Sequence, residues 1–408
     1  MAKNRSQMGV VFFTTFLDLL GVGIIIPIIA PLFLDAEHHL LPDHYSFSDR
    51  TMLMGVLISS FSFMQFFGSS FLGALSDRFG RKKILFASIA GTALGYVILA
   101  TGIEWGMPSL LFAGRMLNGF CAGNLAVIYS AIADISTPEQ KSKNFGLVGA
   151  AFGIGFVIGP FMGGQLADSS LVSWFTYATP FWVAAILSLF NLLLIALRFQ
   201  ETIQQTVKRS LNFTTGIRNL RTAFTHAQLR VVFLISFLFI FGFTFFTQFI
   251  QVYLIEAFAY SQADIGKLFA YMGIWIALTQ GGIIRPISKR FTPLNTLRFS
   301  LILLATAMLS LLLPSISWQL FVVLPFVSIF QGLTSPNITA TVSNLAGSDI
   351  QGEILGINQS VSAFAQLLPP LIGGVLVGWD IRMPIIGSAF FILMAWLVLQ
   401  RLIHTKQA

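Results

Sequence analysis

Two charged side chains stand inside runs of the sequence that are otherwise apolar. Asp18 lies in "FLDLLGVGIIIPIIAPLF" (Phe16–Phe33) and Arg115 lies in "GRMLNGFCAG" (Gly114–Gly123). A charge at the centre of a bilayer costs at least ~2.5 kcal/mol on insertion scales, so neither residue is there by default. A carboxyl held away from bulk water is suited to taking up and releasing a proton. A nearby guanidinium would stabilise the ionised carboxylate or contact an anionic group on a ligand. The bland alternatives are a permanent ion pair, or an Asp18 bonded to backbone that never titrates. Charge is also concentrated in "GALSDRFGRKK" (Gly73–Lys83), with five charged residues in eleven positions, whereas the whole chain is 10% charged.

The elements that carry these residues are apolar spans. The 408-residue chain is 55% hydrophobic, with 42 Phe and a mean hydropathy of +0.81. A soluble domain would have roughly a quarter of its residues charged. The apolar excess, arranged in runs near or above ~20 residues, points to a lipid bilayer. Twelve spans are expected, at 8–34, 51–73, 83–103, 109–132, 144–166, 175–198, 230–256, 265–284, 295–314, 318–343, 354–378 and 383–403. The runs do not alternate and most are too long for membrane strands. The start, "MAKNRSQMG", is polar and basic, and the apolar run after it exceeds a signal-peptide core, so an uncleaved first helix is expected. Asp18 then falls ten residues into the first span, about 15 Å along it, and Arg115 about 9 Å into the fourth from the outer side. Both are expected to face one cavity near mid-depth.

Positive charge sets the orientation. With the N-terminus inside, only Arg50, Lys267 and Arg382 of the 24 Lys and Arg fall in outer loops, and Arg115 lies well within a span. Asp35, Glu37, Asp43 and Asp49 gather in the first outer loop. A multi-pass protein with both termini in the cytoplasm is expected. The net charge of +8 therefore reads as inner loops, not as a nucleic-acid surface. The single cysteine, Cys121, excludes an intramolecular disulfide and reads as a packing residue.

The chain echoes itself. "SDRF" (76–79) recurs as "SKRF" (288–291), "NGFCAGNLAVIYS" (118–130) aligns with "QGLTSPNITATVS" (331–343), and "GPFMGG" (159–164) with "PPLIGG" (369–374). The three pairs come in one order at nearly one spacing, which implies a six-helix repeat. The expected architecture is all-α and integral to the membrane. Two pseudo-symmetric six-helix bundles, 1–199 and 230–408, would be joined by a polar cytoplasmic linker, 200–229. Parallel halves with a site at the midplane are a transporter design.

"GALSDRFGRKK" resembles the signature loop of the major facilitator superfamily through Gly73, Leu75, Ser76, Asp77, Arg78, Gly80, Arg81 and Lys82. The resemblance implies a charge relay that latches the protein in one state, built on Gly73, Asp77, Arg78, Gly80 and Arg81, with Asp134 as the acidic partner. In the second copy Lys289, Thr292 and Pro293 stand where Asp77, Gly80 and Arg81 stand in the first, so the relay is not expected there. "GFVIGPFMGG" (Gly155–Gly164) matches the antiporter motif through Gly155, Gly159, Pro160, Gly163 and Gly164. Small residues permit close helix contact, and Pro160 removes a backbone hydrogen bond. In the family this motif implies export of substrate in exchange for protons. The first span, with "GRMLNGFCAG" and "FWVAAILSLFNLLLIALRFQET" (Phe181–Thr202), is similar to the tetracycline-efflux-like branch of drug:proton antiporters. That resemblance implies a bacterial cytoplasmic (inner) membrane location, a small-molecule cargo, the proton gradient as energy source, no cofactor and a monomer. Asp18 and Arg115 would serve proton coupling.

Family architecture places the cargo between spans one, four, seven and ten. Polar candidates are Gln65, Asn118, Asn124, Gln248, Gln251, Asn337 and Gln359, and aromatic ones Phe245, Tyr253, Tyr271 and Trp275. An amide in a span is as often interhelical glue as a ligand contact. A carrier of a specific metabolite, siderophore or sugar would share the fold, and a membrane sensor that has lost transport is a rival of another class. Nothing in the spans suggests an enzyme. His38, His39 and His44 sit with acids in the first outer loop, where a solvated loop outweighs a metal site. "SDRFGRKK" lacks the spacing of a phosphate-binding loop and follows a membrane helix, and no nucleotide-binding domain is present.

Overall fold

The computed structural model describes residues 2–34, 40–42, 44–136, 151, 153–155, 157–203, 215–225, 229–345 and 351–407. Among these residues eleven helices are long and apolar enough to cross a membrane. They are α1 (Gln7–Leu34), α2 (Phe47–Phe79), α3 (Arg81–Glu104), α4 (Pro108–Ile135), α6 (Thr179–Arg198), α7 (Arg230–Phe258), α8 (Gln262–Arg290), α9 (Pro293–Ser310), α10 (Ser317–Val342), α11 (Ile357–Trp379) and α12 (Met383–Leu402). A shorter apolar helix, α5 (Gly153–Leu166), falls where the fifth span is expected, and the first part of that span lies outside the described residues. No strand occurs among the described residues. His38 and His39 also lie outside them, while His44 lies against Tyr45 with ring centroids 4.7 Å apart and the planes tilted by 36°.

The helices wear their apolar side chains outward. On α6, Ile186, Leu189, Phe190, Leu193 and Leu197 are all exposed, a stripe at helical spacing, whereas Asn191 is fully buried. In water that arrangement is inverted, and in lipid it is the stable one. Buried polar groups then find partners inside. Asn191 accepts from the Thr14 hydroxyl of α1 at 3.0 Å.

Contacts divide the chain into two compact units. One comprises Met1–Tyr45, Ser60–Ile217 and Gln262–Phe269, the other Ser46–Ser59, Arg218–Ser261 and Ala270–Ala408. The unit boundary thus runs through α2 and α8. In the second unit the first part of α2 packs on α11, where Thr51 Oγ1 donates to the Gly374 carbonyl at 2.9 Å and Ser59 Oγ to that of Leu367 at 2.6 Å. A short linker helix, Thr215–Thr225, lies before α7, with Ala223 fully buried in a core of Leu229, Val232, Phe233 and Val342.

In the first unit two irregularities place the functional side chains. α1 is interrupted at Ile25, between helical stretches Ala2–Ile24 and Ile26–Leu34, with Pro27 and Pro31 just beyond. Each proline removes a backbone donor, which weakens the ladder there. α4 tightens into a 3₁₀ turn at Ala122–Asn124. Around that turn Gly119 and Gly123 meet the backbone of Phe61 and Gly68 in α2, leaving no room for a Cβ.

The charged stretch Gly73–Lys83 differs from its expectation as a loop. α2 runs on through Ser76, Asp77 and Arg78 to Phe79, α3 starts at Arg81, and the connection is Gly80 alone. Gly80 has φ 100°, a left-handed conformation that favours glycine. The aligned second stretch is also mostly helical. α8 continues to Arg290, and Thr292 caps α9 by accepting from the Asn295 amide at 3.3 Å, with Pro293 next. That is an ordinary helix start in place of an ion network.

Candidate functional site

Asp18 sits on α1, seven residues before its interruption. Its Oδ2 accepts from Asn124 Nδ2 at 2.8 Å, so the 3₁₀ turn of α4 delivers an amide to the carboxylate. Asp18 is half-buried, and beside it is a cavity of about 50 Å³ lined by Gln65, Thr92, Tyr96 and Asn118 among others. Tyr96 comes from α3 and is buried, its hydroxyl wedged against Gly21 one turn along α1 from Asp18. Asn118 is 4% exposed, and neither its Nδ2 nor its Oδ1 has a hydrogen-bond partner.

Arg115 does not pair with Asp18. Its guanidinium lies over the Phe61 ring, 4.4 Å from the centroid, and its buried Nε has no hydrogen-bond partner. Phe61 in turn lines the cavity. Tyr96 interacts electrostatically with both Asp18 and Arg115. Among the described residues Asp18 has a side-chain amide partner, Asn124, and no ion pair with Arg115.

The antiporter-motif glycines hold the helix that carries Asp18. Gly155, Gly159 and Gly163, spaced one turn apart on α5, face Leu19, Leu20, Gly23 and Ile24 of α1. A Cβ on Gly159 would come within 2.7 Å of the Leu20 carbonyl oxygen, and one on Gly163 would overlap that of Ile24. Pro160 abuts Gly23, and Gly164 meets Gly266 at the start of α8 on the opposite side.

A network of ion pairs and hydrogen bonds is assembled at the Gly80 connection. Arg81 is 6% exposed; its Nη1 donates to Asp77 Oδ1 and Ser76 Oγ, each at 2.6 Å, and its Nε to Asp134 Oδ2 at 3.1 Å. One guanidinium fork therefore ties α2, α3 and the end of α4 together. Thr202 Oγ1 adds a 3.0 Å bond to the same Asp134 oxygen. Arg78 stands apart, its guanidinium over the Phe79 ring at 5.2 Å, whereas the Gly73 carbonyl joins the network by accepting from Ser76 Oγ at 2.7 Å.

A residue that sequence reasoning missed completes this cluster. Glu201, just past α6, accepts from the Arg81 amide at 2.8 Å through Oε1 and from the Lys82 amide at 3.2 Å through Oε2. It caps α3 from 120 residues away in sequence, satisfying N–H groups that open a helix and meeting its positive end. Any Cβ at Gly80 would collide with that carboxylate. Lys82 Nζ reciprocates by donating to the Ala196 carbonyl at 2.9 Å, near the end of α6.

The remaining candidates are divided. Gln65, Asn118 and Asn124 join Asp18 around the cavity. In the second unit Tyr253 and Tyr271 spend their hydroxyls on the carbonyls of Leu311 (3.4 Å) and Phe321 (2.9 Å). Asn337 donates to the Leu333 carbonyl and Gln251 to that of Gln248, both within their own helices. Phe245 packs against Phe241 and Phe391, Trp275 against Tyr271, and Gln359 is half-buried.

Apolar-faced helices around a buried carboxylate are the setting of a membrane protein, and the family match makes it a transporter, not an enzyme. The chain belongs to the Major Facilitator Superfamily, whose sequence profile it matches over residues 11–370. It is 30% identical to tetracycline resistance protein, class C, of Escherichia coli, over 96% of each chain. It is 28% identical to quinolone resistance protein NorA of Staphylococcus aureus (strain MRSA252), over 93% of this chain and 92% of that one. Multidrug resistance protein 2 of Bacillus subtilis (strain 168) is 27% identical, with 96% and 94% covered. The fold matches that of the human organic anion transporter MFSD10 (TETRAN), with a TM-score of 0.74 and 22% identity over 97% of this chain and 99% of that one. It matches a D-xylose-proton symporter with a TM-score of 0.72 and 15% identity, over 95% and 96%.

Proposed function

We propose that this protein exports small organic molecules in exchange for protons, with Asp18 as the group that binds the transported proton. The observation that carries the reading is the Asp18–Asn124 pair beside a cavity, on a helix clamped by the antiporter-motif glycines. A carboxylate so placed is costly unless used, and its protonation removes a charge from the bundle interior. Alternating access then follows if proton and cargo favour different states. Arg115, held on Phe61 without a carboxylate partner, supplies the fixed positive charge that opposes protonation when cargo has bound. The Arg81–Asp77–Asp134 relay holds one of the two states.

The cargo class is drug-like and amphipathic, as the tetracycline, quinolone and multidrug resistance proteins among its relatives support. The distribution of Lys and Arg supports both termini on the cytoplasmic side of a bacterial inner membrane, and a monomer suffices for the mechanism. Everted membrane vesicles test the reading. An imposed pH gradient, acid inside, should drive accumulation of tetracycline or norfloxacin, and collapsing the gradient should release it. Accumulation indifferent to the gradient would contradict proton exchange.

A further inference from the structure

The cavity beside Asp18 is too small for a drug-sized molecule, whose pockets span about 300–1,000 Å³. Its volume of about 50 Å³ has room for roughly three waters, taking ~15 Å³ for each. Its walls are polar where a water would need partners. Asn118 offers one donor pair and one acceptor that no protein group meets, although the residue is 4% exposed. A buried amide without any partner is expensive, and native proteins satisfy such groups with ordered water. Thr15, Thr92, Gln65, Tyr96, Asn124 and the Asp18 carboxylate are the other polar groups of a lining that is otherwise apolar, Phe61 and Ile128 included.

We propose that this cavity is a hydrated chamber, in which water held by the Asn118 amide and the Tyr96 hydroxyl carries the proton to and from Asp18. The proposal rests on the reading of Asp18 as the proton site and gives Asn118 a role other than cargo contact. A metal ion does not suit the chamber: Asn124 points an N–H donor at the carboxylate, and no cluster of three or more metal-ligating His, Cys, Asp or Glu side chains occurs among the described residues. Cargo is excluded by volume. The proton moves by exchange of O–H bonds along water: a hydronium at the far end is consumed as Asp18 becomes a neutral carboxyl, and the reverse passage leaves a carboxylate at Asp18 and a hydronium at that end. No redox partner is required.

The groups that face Asp18 limit what else can tune it. From α3 there is Tyr96, and from α4 Cys121 and, behind Phe61, Arg115. The facing side chains of α2, Phe61 and Gln65, do not titrate, and α5 presents glycines. Tyr96 lines the cavity, interacts electrostatically with both Asp18 and Arg115 and sets its hydroxyl against Gly21, so it is assigned as the positioning residue for the water. Asn118 anchors the other side.

The test is infrared difference spectroscopy of the purified full-length protein in detergent, titrated with pH and without cargo. The carboxyl C=O band lost in Asp18→Asn belongs to Asp18. In Asn118→Leu and in Tyr96→Phe, the midpoint of that band should shift by about one pH unit, tenfold in proton affinity. A water O–H band that moves on exchange into H₂¹⁸O should disappear with it. The two variants alter different helices, so one that fails to fold leaves the other decisive. An Asp18 band unchanged in midpoint in a folded variant, with no water band lost, overturns the chamber. A protein with no Asp18-dependent band overturns the proton-site reading itself, and the chamber falls with it.

Discussion

Gly163 of α5 lies against the main-chain carbonyl of Ile24 in α1 with no space for a side chain between them. That contact fixes the position of the helix on which Asp18 sits, one and a half turns earlier. Gly281 of α8, by contrast, has open space where a Cβ would go. Gly163→Ala should therefore lower the thermal unfolding temperature in detergent, by overpacking worth about 1–3 kcal/mol, while Gly281→Ala should not. Unfolding curves of the two variants side by side decide it. Equal curves would remove the clamp from the explanation.

Arg81 serves two carboxylates and a hydroxyl with one planar fork. Lysine carries the charge but cannot reach Asp77 and Asp134 together. Arg81→Lys is expected to reduce the transport rate at least tenfold. Arg78→Lys, changing a side chain that rests on Phe79 outside the relay, should leave the rate within twofold. Initial rates in reconstituted vesicles at matched protein density are the measurement.

Glu201 caps α3 with both oxygens. Glu201→Ala should cost about 1 kcal/mol, the usual loss for a removed helix cap, and Glu201→Gln less, since its amide oxygen still accepts. Hydrogen exchange at the first amides of α3 offers the sharper readout. Exchange should quicken at Arg81 and Lys82 in the alanine variant and stay slow at mid-helix positions such as Ile89.

Tyr253 and Tyr271 use their hydroxyls to bond main-chain carbonyls of Leu311 and Phe321. Substituting phenylalanine at either position should lower stability by about 1 kcal/mol, the net value of one hydrogen bond, without changing cargo affinity. A weakened tetracycline affinity in an otherwise stable Tyr253→Phe protein would place that hydroxyl at the cargo instead.

Much of this arrangement was legible along the chain, because its signals are local. Apolar runs mark the helices, and a carboxylate in such a run marks Asp18. The spacing of Gly155, Gly159 and Gly163 marks a small face, though only the packed helices show that it serves α1. Glu201 was not legible. A cap supplied from 120 residues away leaves no pattern beside the helix it caps. Tyr96 carries no signal along the chain, and only the packing against Gly21 and the cavity places its hydroxyl. The amides Asn118 and Asn124 stood out as polar residues in spans, but periodicity could not say that they face Asp18. The loop at Gly73–Lys83 was misjudged for a physical reason: charge ends a membrane span without ending a helix, and α2 continues to Phe79.

Proton release from the purified protein on adding cargo tests the central claim most directly. Tetracycline, norfloxacin and a lipophilic cation would be added to weakly buffered protein in detergent, with Asp18→Asn measured alongside. The expected result is release of protons by the native protein for at least one cargo and none by the variant, although the variant still binds that cargo. Cargo binding with no proton release from the native protein, or equal release from both, would contradict proton exchange through Asp18.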